Sequence, residues 1–579
     1  MRARLIFTAN LLVLAIFYIS AFADERQKIQ LKTTVDHVVL SSELKEKIPD
    51  LMERALIPGL SMAVIRDGKI FWRHEFGIKN VETGEPVTDD TVFEAASLSK
   101  PVFAYGVMKL VDQGKLDLDK PLIDIVSRSY LERVDPRYKT DDERFSLITA
   151  RMVLTHSTGF ANWFNGRPLS IAFQPGEKFS YSGEAFDLLA RVVEKITGVS
   201  LADFMNETVL KPLGMNDSSY VWIDQYNSRF SGSHNRFARL TPRDRKTTAS
   251  AGATLYTTAL DFAKFVLAII NDIGMRKPSF YEMLHPQIQA YKERTEGIFW
   301  GLGFGLNHTD QGKSIWHWGD NGEFKCYFEA FKQEKTGLVF FANSHNAHAI
   351  TESLMLHAIG QNSPGIRAIP YPRYDSATIR LYHTYRMKGA EKALEYFNEV
   401  QNNKDTKGSI TEDTMALLGQ DVMQQKEYDQ ALKIFNTANN AFPDSAILSV
   451  GLGHAYLAKN DKDKARQYFE ATLAKDPEMG LAKMGLLEIE PFKPEQYTIN
   501  AILGTYSRPN GSPEEIWQED GKLYAGRNKR ELVAESNDTY WFWDGRRACR
   551  INFERNNKGS VIGYRIQIGD QSFEGKKLK

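Results

Sequence analysis

Cysteine is almost missing from this chain of 579 residues, which holds only Cys326 and Cys549. A disulfide scaffold is thereby excluded, and the two thiols are expected to be buried and unbridged. An excess of either charge is missing too, since 73 basic side chains face 73 acidic ones. A nucleic-acid partner calls for a visibly basic surface, so that class is set aside. Metal and nucleotide chemistry have no motif to rest on: there is no H-E-x-x-H, no paired C-x-x-C, no phosphate loop and no dinucleotide fingerprint. His345 and His348 form a pair without an evident third ligand. The elbow G-x-S-x-G of the alpha/beta-hydrolases is absent, and the nearest string, Gly59-Leu60-Ser61-Met62-Ala63, lacks the last glycine. No cofactor is expected.

Long apolar runs are confined to the beginning. Arg2 and Arg4 precede an apolar stretch from Leu5 to Ile19, and Ala21-Phe22-Ala23 follows with small residues in cleavage spacing. This reads as an export signal over 1–23 with the mature chain starting at Asp24. The stretch falls short of the roughly 20 residues that span a bilayer. A periplasmic or secreted protein without a stable membrane span after cleavage is the expectation.

What is present is an ordinary globular composition, 42% hydrophobic and 25% charged, in a chain long enough for several domains. Between about 33 and 360 strand-like and helix-like segments alternate. Gly59–Ile65 and Lys69–Phe76 flank the turn Asp67-Gly68, a hairpin signal. Ala185–Ile196 is helical in period and ends at Gly198. Phe324–Phe331 and Gly337–Ala342 read as adjacent strands before a helix over Ala347–Ile359. Strands early and late with helices between suit an antiparallel sheet whose first and last strands pair.

Residues 361–375, rich in proline, read as a linker. Beyond it, Ala431 and Ala465, Phe435 and Phe469, and Pro443 and Pro477 each recur at a spacing of 34, with a looser copy at Ala393 and Phe397. That period resembles the tetratricopeptide helical hairpin over 376–487, which buries its apolar faces only by stacking on neighbours. Residues 495–579 change to short alternating segments, Lys522–Tyr524, Thr539–Trp543, Arg550–Phe553 and Val561–Ile568, with turns at Asp520-Gly521, Asp544-Gly545 and Asn557-Lys558-Gly559. A small all-β module is expected, its cluster Tyr540–Trp543 filling the core rather than forming a carbohydrate platform.

The most informative string is Ser97-Leu98-Ser99-Lys100 at the mouth of a helical stretch running to Asp112. Serine and lysine three apart share one helical face, and an amine that takes the hydroxyl proton turns serine into an acylating nucleophile. Ser42-Glu43-Leu44-Lys45 carries the same spacing by accident. What distinguishes Ser97 is Phe93–Ala96 before it, Pro101 in the first turn, and the apolar stripe Val102, Tyr105, Met108 and Leu110 after it.

Four strings in order, Phe93–Lys100, Leu154–Gly159, Pro175–Gly183 and His317-Trp318-Gly319, resemble the serine beta-lactamase and penicillin-binding-protein-like hydrolases, in the branch of class C beta-lactamases, D,D-peptidases and esterases. The resemblance implies an α/β (α+β) fold with an antiparallel sheet flanked by helices. It makes Ser97 the nucleophile, Lys100 its base partner and Tyr181 the second member of the proton relay, and leaves open which of the two acts as acylation base. A lysine held near neutrality by limited solvation and nearby positive charge would serve. The backbone N–H groups of Ser97 and Asp320 would form the oxyanion hole, and Gly183, His317, Trp318 and Gly319 would contact substrate. His317-Trp318-Gly319 is expected on an edge strand, with Gly319 admitting the substrate backbone and His317 touching substrate or setting site polarity. Asp320, Asn321 and Gly322 read as a polar turn lining the cleft, and His156 as architectural.

The departures narrow the chemistry. Gly183 stands where beta-lactamases of this branch have asparagine, and His317-Trp318 stands where they have lysine and threonine. A histidine attracts a substrate carboxylate less than a lysine does. The expected substrate is therefore a small ester, amide or peptide, peptidoglycan fragments included, cut by an exported serine hydrolase of esterase or D-amino-acid-peptidase type, with beta-lactam hydrolysis weak or absent. The helical repeats would dock a protein partner or hold the β module near the cleft. The other class the residues admit is a poorly catalytic cell-wall-sensing or interaction protein built on the same repeats.

Overall fold

A computed structural model describes residues 42–578 except 165–168, 292–296, 310–311, 509–512, 527–528, 544–547 and 569–570. The proposed signal over 1–23 and the turn Asp544-Gly545 lie outside the described residues.

The first part is built on an antiparallel sheet of eight strands. These are β1 (Gly59–Arg66), β2 (Lys69–Gly77), β3 (Ile288–Gln289), β4 (Ile298–Trp300), β5 (Gly305–Thr309), β6 (Gly312–Asp320), β7 (Lys325–Phe331) and β8 (Thr336–Ala342). Their order across the sheet is β2-β1-β8-β7-β6-β5-β4-β3, so β1 pairs with the last strand, Met62 facing Phe340 and Val64 facing Leu338. Apolar residues run along nearly the whole of β1 because both its faces are covered. Ala63 and Ile65 belong to one core, with α1 (Ser99–Asp112), α2 (Gly183–Thr197) and α3 (Ala259–Ile270). Leu60, Met62 and Val64 belong to the other, with Leu44 and Ile48 of a helix over 42–54 and Leu354 of α4 (Thr351–Ile359). The period-2 alternation of a strand sorts one apolar run into two cores.

Residues 361–375 are packed down on the sheet. Gly365 lies against the Trp316 ring, Ile366 and Ala368 are buried, and the Ser363 hydroxyl donates to Glu329 at 2.6 Å. Glu329 is fully buried and also accepts from Ser314 at 2.5 Å, Asn307 at 2.8 Å and Tyr327 at 2.8 Å.

Helices follow: α5 (Ala377–Asn402, broken at Gly389, φ +84°), α6 (Glu412–Gln424), α7 (Tyr428–Ala441), α8 (Ala446–Ala458), α9 (Lys462–Lys475) and α10 (Gly480–Ile489), with a short helix over Gln496–Ile502 leading into the last region. The spacing of 34 has a plain packing cause. The Phe435 ring sits where a Cβ on Gly419 or Gly451 would have to go, and Phe469 repeats this between Gly453 and Gly485. Each phenylalanine thus wedges between glycines of the preceding and following helices, so neither is buried unless both neighbours are in place. The repeats also grip the first domain: Phe237 packs on Tyr382 and Tyr385 with ring centres 4.9 and 5.6 Å apart. Beside it Arg239 Nε donates to both carboxylate oxygens of Asp421 at 2.9 Å.

The C-terminal region corrects the expectation of a plain small β module. It is a closed barrel of eight strands, from Gly504–Ser507 to Gln571–Lys577, sealed where Tyr506 pairs with Lys577. Four of the strands carry too little alternation to stand out alone, and closure supplies the edges that no local signal shows. Tyr540 and Phe542 fill its core while Trp543 stays exposed. Cys326 and Cys549 are both buried and no disulfide joins them.

Candidate active site

Ser97 sits in a single 3-10 turn, Ala96–Leu98, that runs directly into α1. Ala96 before it holds φ at +46°, a left-handed conformation costly to a residue with a Cβ. Surrounding contacts fix the strained turn. Ala95 N donates to Leu255 O at 2.7 Å, Cys326 Sγ donates to Ala95 O at 3.0 Å, and Ser99 Oγ donates to Ala96 O at 2.6 Å. Ser97 itself remains half-buried.

Lys100, one helical turn on, is fully buried. Its Nζ donates to Ser97 Oγ at 3.1 Å and to Gly252 O at 2.8 Å, and lies over the rings of Tyr181, Trp163 and Phe186 at 4.9, 5.6 and 5.7 Å. Burial draws its pKa down to about 7 against the opposite pull of Asp187 on α2. The cause differs in part from the expected one, because burial alone lowers it. The nearby imidazoles of His156 and His317 supply no positive charge, since burial holds both well below their usual range.

Tyr181 stands in the loop before α2, packed between His156 at 4.2 Å and Trp318 at 4.9 Å between ring centres. Its hydroxyl closes no hydrogen bond of ordinary geometry. Burial raises its pKa well above 10, with the neighbouring Ser97 acting the other way. His156 accepts from Ser182 N through Nδ1 at 3.0 Å and so holds the loop that presents Tyr181.

The strand that carries His317, Trp318 and Gly319 is not an edge strand, which corrects the expectation. It is interior, yet its last residues behave like an edge. Pairing with β5 stops at Trp316, opposite Gly305, while pairing with β7 continues to Asp320, opposite Lys325. Asn321 N donates to Phe324 O at 3.1 Å, and the alternation of an antiparallel ladder then turns the N–H groups of Trp318 and Asp320 away from β7. Both amides therefore lack a strand partner.

Gly319 is required by the protein's own contacts. A Cβ there would lie 2.6 Å from Ala95 O and 3.2 Å from Ala96 Cβ. His317 is also not on the surface. It is fully buried, its Nδ1 pairs with Trp318 O at 2.7 Å, its Nε2 has no partner, and its pKa falls to about 3 through burial and the nearby Lys100. The ring therefore lies inside the sheet, near Lys100, and not on an exposed edge. Trp318 is nearly buried, in an aromatic wall with Trp316 and Trp300. The Asp320 carboxylate turns to the Lys325 ammonium and to Tyr371 Oη at 2.7 Å, which hold its pKa near 2. Asn321 ties the same turn to Glu94 at 2.5 Å.

Several site residues have no motif and were not expected. Trp163 fills the space beside Gly183, where a Cβ would lie 2.4 Å from its ring. Asp187 accepts from Ser250 Oγ at 2.7 Å, and Gly252 accepts from Lys100. The His348 ring binds Gly319 O at 3.0 Å and stacks on Tyr371 with ring centres 4.5 Å apart. Among the described residues no cluster of three metal-ligating side chains occurs.

Comparison with known proteins bears on this geometry. The family profile Beta-lactamase matches residues 44–355, and a tetratricopeptide repeat profile matches 422–484. Esterase EstB of Burkholderia gladioli is 28% identical over 44% of this chain and 76% of its own. The lovastatin esterase of Penicillium rubens is 27% identical over 38% of this chain and 68% of its own. Among solved structures, D-alanine carboxypeptidase AmpC from Burkholderia cenocepacia is 20% identical, with 53% of this chain and 94% of that one covered and a TM-score of 0.45.

Proposed function

The chain belongs to the beta-lactamase family over residues 44–355, with tetratricopeptide-like repeats after it, and from that premise we propose that it is a serine hydrolase cutting esters, or amide and peptide bonds, through an acyl-enzyme on Ser97. The observation that carries the reading is the 3.1 Å contact between Ser97 Oγ and a buried amine whose pKa is about 7. At that value a large share of the amine is neutral at physiological pH and free to accept a proton.

Lys100 takes the Ser97 proton as Oγ bonds to the substrate carbonyl carbon. Charge gathers on the carbonyl oxygen, where the amides of Ser97 and Asp320 would receive it; the free amide on the overhanging end of β6 supports that assignment. Loss of one such donor typically costs about 3 kcal/mol in the transition state. As the bond to the leaving group breaks, Tyr181 hands a proton to the departing oxygen or nitrogen and regains one from Lys100. Burial keeps the Tyr181 phenol protonated and so unable to act as a phenolate base, which favours Lys100 as the acylation base. Water then attacks the acyl carbon, and Ser97 leaves with its proton restored.

Esters are the favoured substrates, in line with the two relatives named as esterases. Beta-lactam hydrolysis is weak or absent in this reading, because Gly183 offers no amide and the neutral His317 offers no cation. The export signal over 1–23, the periplasmic or secreted location and the division into 33–360, 361–375, 376–487 and 495–579 belong to the same proposal. Among the described residues no helix is long and apolar enough to cross a membrane. Part of the repeat surface is taken by Phe237 and Arg239 and part by the barrel, whose Trp541 and Ala548 lie against Gly480; a protein partner would use what is left.

The test is labelling of the full chain by a fluorophosphonate and by a fluorescent penicillin, beside Ser97→Ala. The phosphonate is expected to label the wild type and not the variant, and the penicillin to label weakly or not at all. Absence of any Ser97-dependent adduct, with no turnover of p-nitrophenyl esters, would sink the enzyme reading in favour of a ligand-sensing protein.

A further inference from the structure

The indole of Trp163 occupies ground that a side chain at position 183 would otherwise hold. Its six-membered ring is so close to Gly183 that a Cβ there would lie 2.4 Å away, and to Gly252 that a Cβ there would lie 3.0 Å away. Two glycines, one at the start of α2 and one in the loop that binds Lys100, thus form a slot for the ring. The face of the indole covers Lys100 Nζ at 5.6 Å, and the rest of the half-buried side chain reaches solvent.

The backbone on either side of Trp163 is pinned. Asn162 O accepts from the amides of Gly183 at 2.9 Å and Glu184 at 3.1 Å, and Asn162 Oδ1 accepts from Gly183 N at 3.0 Å. These are orphan donors of a helix N-terminus, satisfied here by the strap that carries the tryptophan. After the ring, Phe164 N donates to Glu184 Oε1 at 2.9 Å, and Arg137 holds that carboxylate at 3.1 Å. A ring anchored on both sides, with its edge in a glycine slot, is built to stay.

We propose, on the serine-hydrolase reading above, that Trp163 determines specificity: it walls the acyl side of the cleft, selecting carboxylic esters with plain, slender acyl chains over substrates that carry an acylamino group beside the scissile carbonyl. An acylamino group needs hydrogen-bonding partners, and at this place it meets an aromatic edge and two glycines. Polar groups left unpaired on binding are penalised far more than a changed methylene count. The same ring keeps water from Lys100, a positioning role exerted through another residue. The groups that face that amine are Asp187 on α2, which favours its charge, and the neutral His156, His317 and Tyr181, which do not offset the burial. Opening the wall hydrates the amine and moves its titration upward.

The experiment compares wild type, Trp163→Ala and Trp163→Phe in the full chain. kcat/KM is measured from pH 5 to 10 on p-nitrophenyl butyrate and on the p-nitrophenyl ester of N-acetylglycine. For Trp163→Ala the preference for the butyrate is expected to fall at least tenfold, and the acidic limb to move up by about one pH unit or more. Trp163→Phe is expected to keep both near wild type. Normal Ser97-dependent phosphonate labelling of Trp163→Ala with an unchanged preference and an unchanged limb overturns the proposal and leaves the hydrolase reading intact. A wild type that takes no label defeats that reading instead. Should Trp163→Ala not fold, Trp163→Leu makes the same comparison, with the same two outcomes deciding.

Discussion

Lys100→Met is expected to yield a protein that is nearly inactive and more stable. Removing a positioned base costs typically 10²–10⁴ in rate, and in the proposed mechanism Lys100 is a base in direct contact with Ser97, so a loss of about 10³ or more in kcat/KM is expected on every substrate. The stability gain follows from the sign of the shift. In the unfolded chain the lysine keeps its proton up to about 10.5, whereas in the fold burial makes it release the proton near 7. Between these values the unfolded state binds the extra proton, so wild-type stability rises with pH across that window and the native state carries its full cost below 7. The cost is of the order of 5 kcal/mol. Methionine removes it and forfeits two hydrogen bonds, to Ser97 and Gly252, each worth about 1 kcal/mol. Urea titrations should show the variant about 2–3 kcal/mol more stable at pH 6 and about 1 kcal/mol less stable at pH 10, where little of the proton cost is left and the two lost hydrogen bonds remain. A variant less stable than wild type at pH 6 would show that the amine is solvated and is no base near neutrality.

Arg239→Ala is expected to loosen the grip between the hydrolase domain and the repeats. The Asp421 side chain is 2% exposed and its carboxylate is met by the Arg239 guanidinium, with Tyr385 Oη accepting from Arg239 at 3.2 Å and donating to Asp421 at 3.1 Å. Truncating the arginine leaves a buried carboxylate with one phenol for company. Breaking a buried pair from one side costs about 3–5 kcal/mol. A loss of about 3 kcal/mol is expected here because the Arg239 side chain is 24% exposed and the opening left behind admits some water. Arg239→Lys keeps the charge and loses the fork, so it should fall between. Thermal and urea unfolding followed by tryptophan fluorescence reads the effect. A loss below 1 kcal/mol would class the pair with ordinary surface bridges.

Much of the fold was legible in the sequence because its signals are local. The hairpin at Asp67-Gly68 and the stop at Gly198 each depend on a few neighbouring residues, and both appear in place, Gly198 with φ at +74° closing α2. The repeat period was legible because each Phe–Gly wedge imposes the same residues at the same interval. Ser97, Lys100 and Tyr181 come together as their order along the chain implied. What escaped depends on who pairs with whom. Whether His317 is an exposed ligand or a buried ring turns on where β5 ends, and β5 comes from another part of the chain. Trp163 carries no local signal, since its slot is made by Gly183 and Gly252 from other segments of the chain. Closure of the barrel likewise rests on the pairing of its first and last strands.

The stretch 361–375 has the composition of a hinge, and a gene recombined at that seam would seem to lose little. Its contacts tell otherwise. Ser363 completes the donor set of the buried Glu329, and Tyr371 reaches the aspartate beside the cleft. A unit cut free at Gly360 would carry away an under-solvated acid in its sheet and a bare flank at Asp320. For a lineage assembling proteins from interchangeable parts, the transferable piece is therefore longer than the sheet, and whatever is appended downstream arrives already coupled to the chemistry.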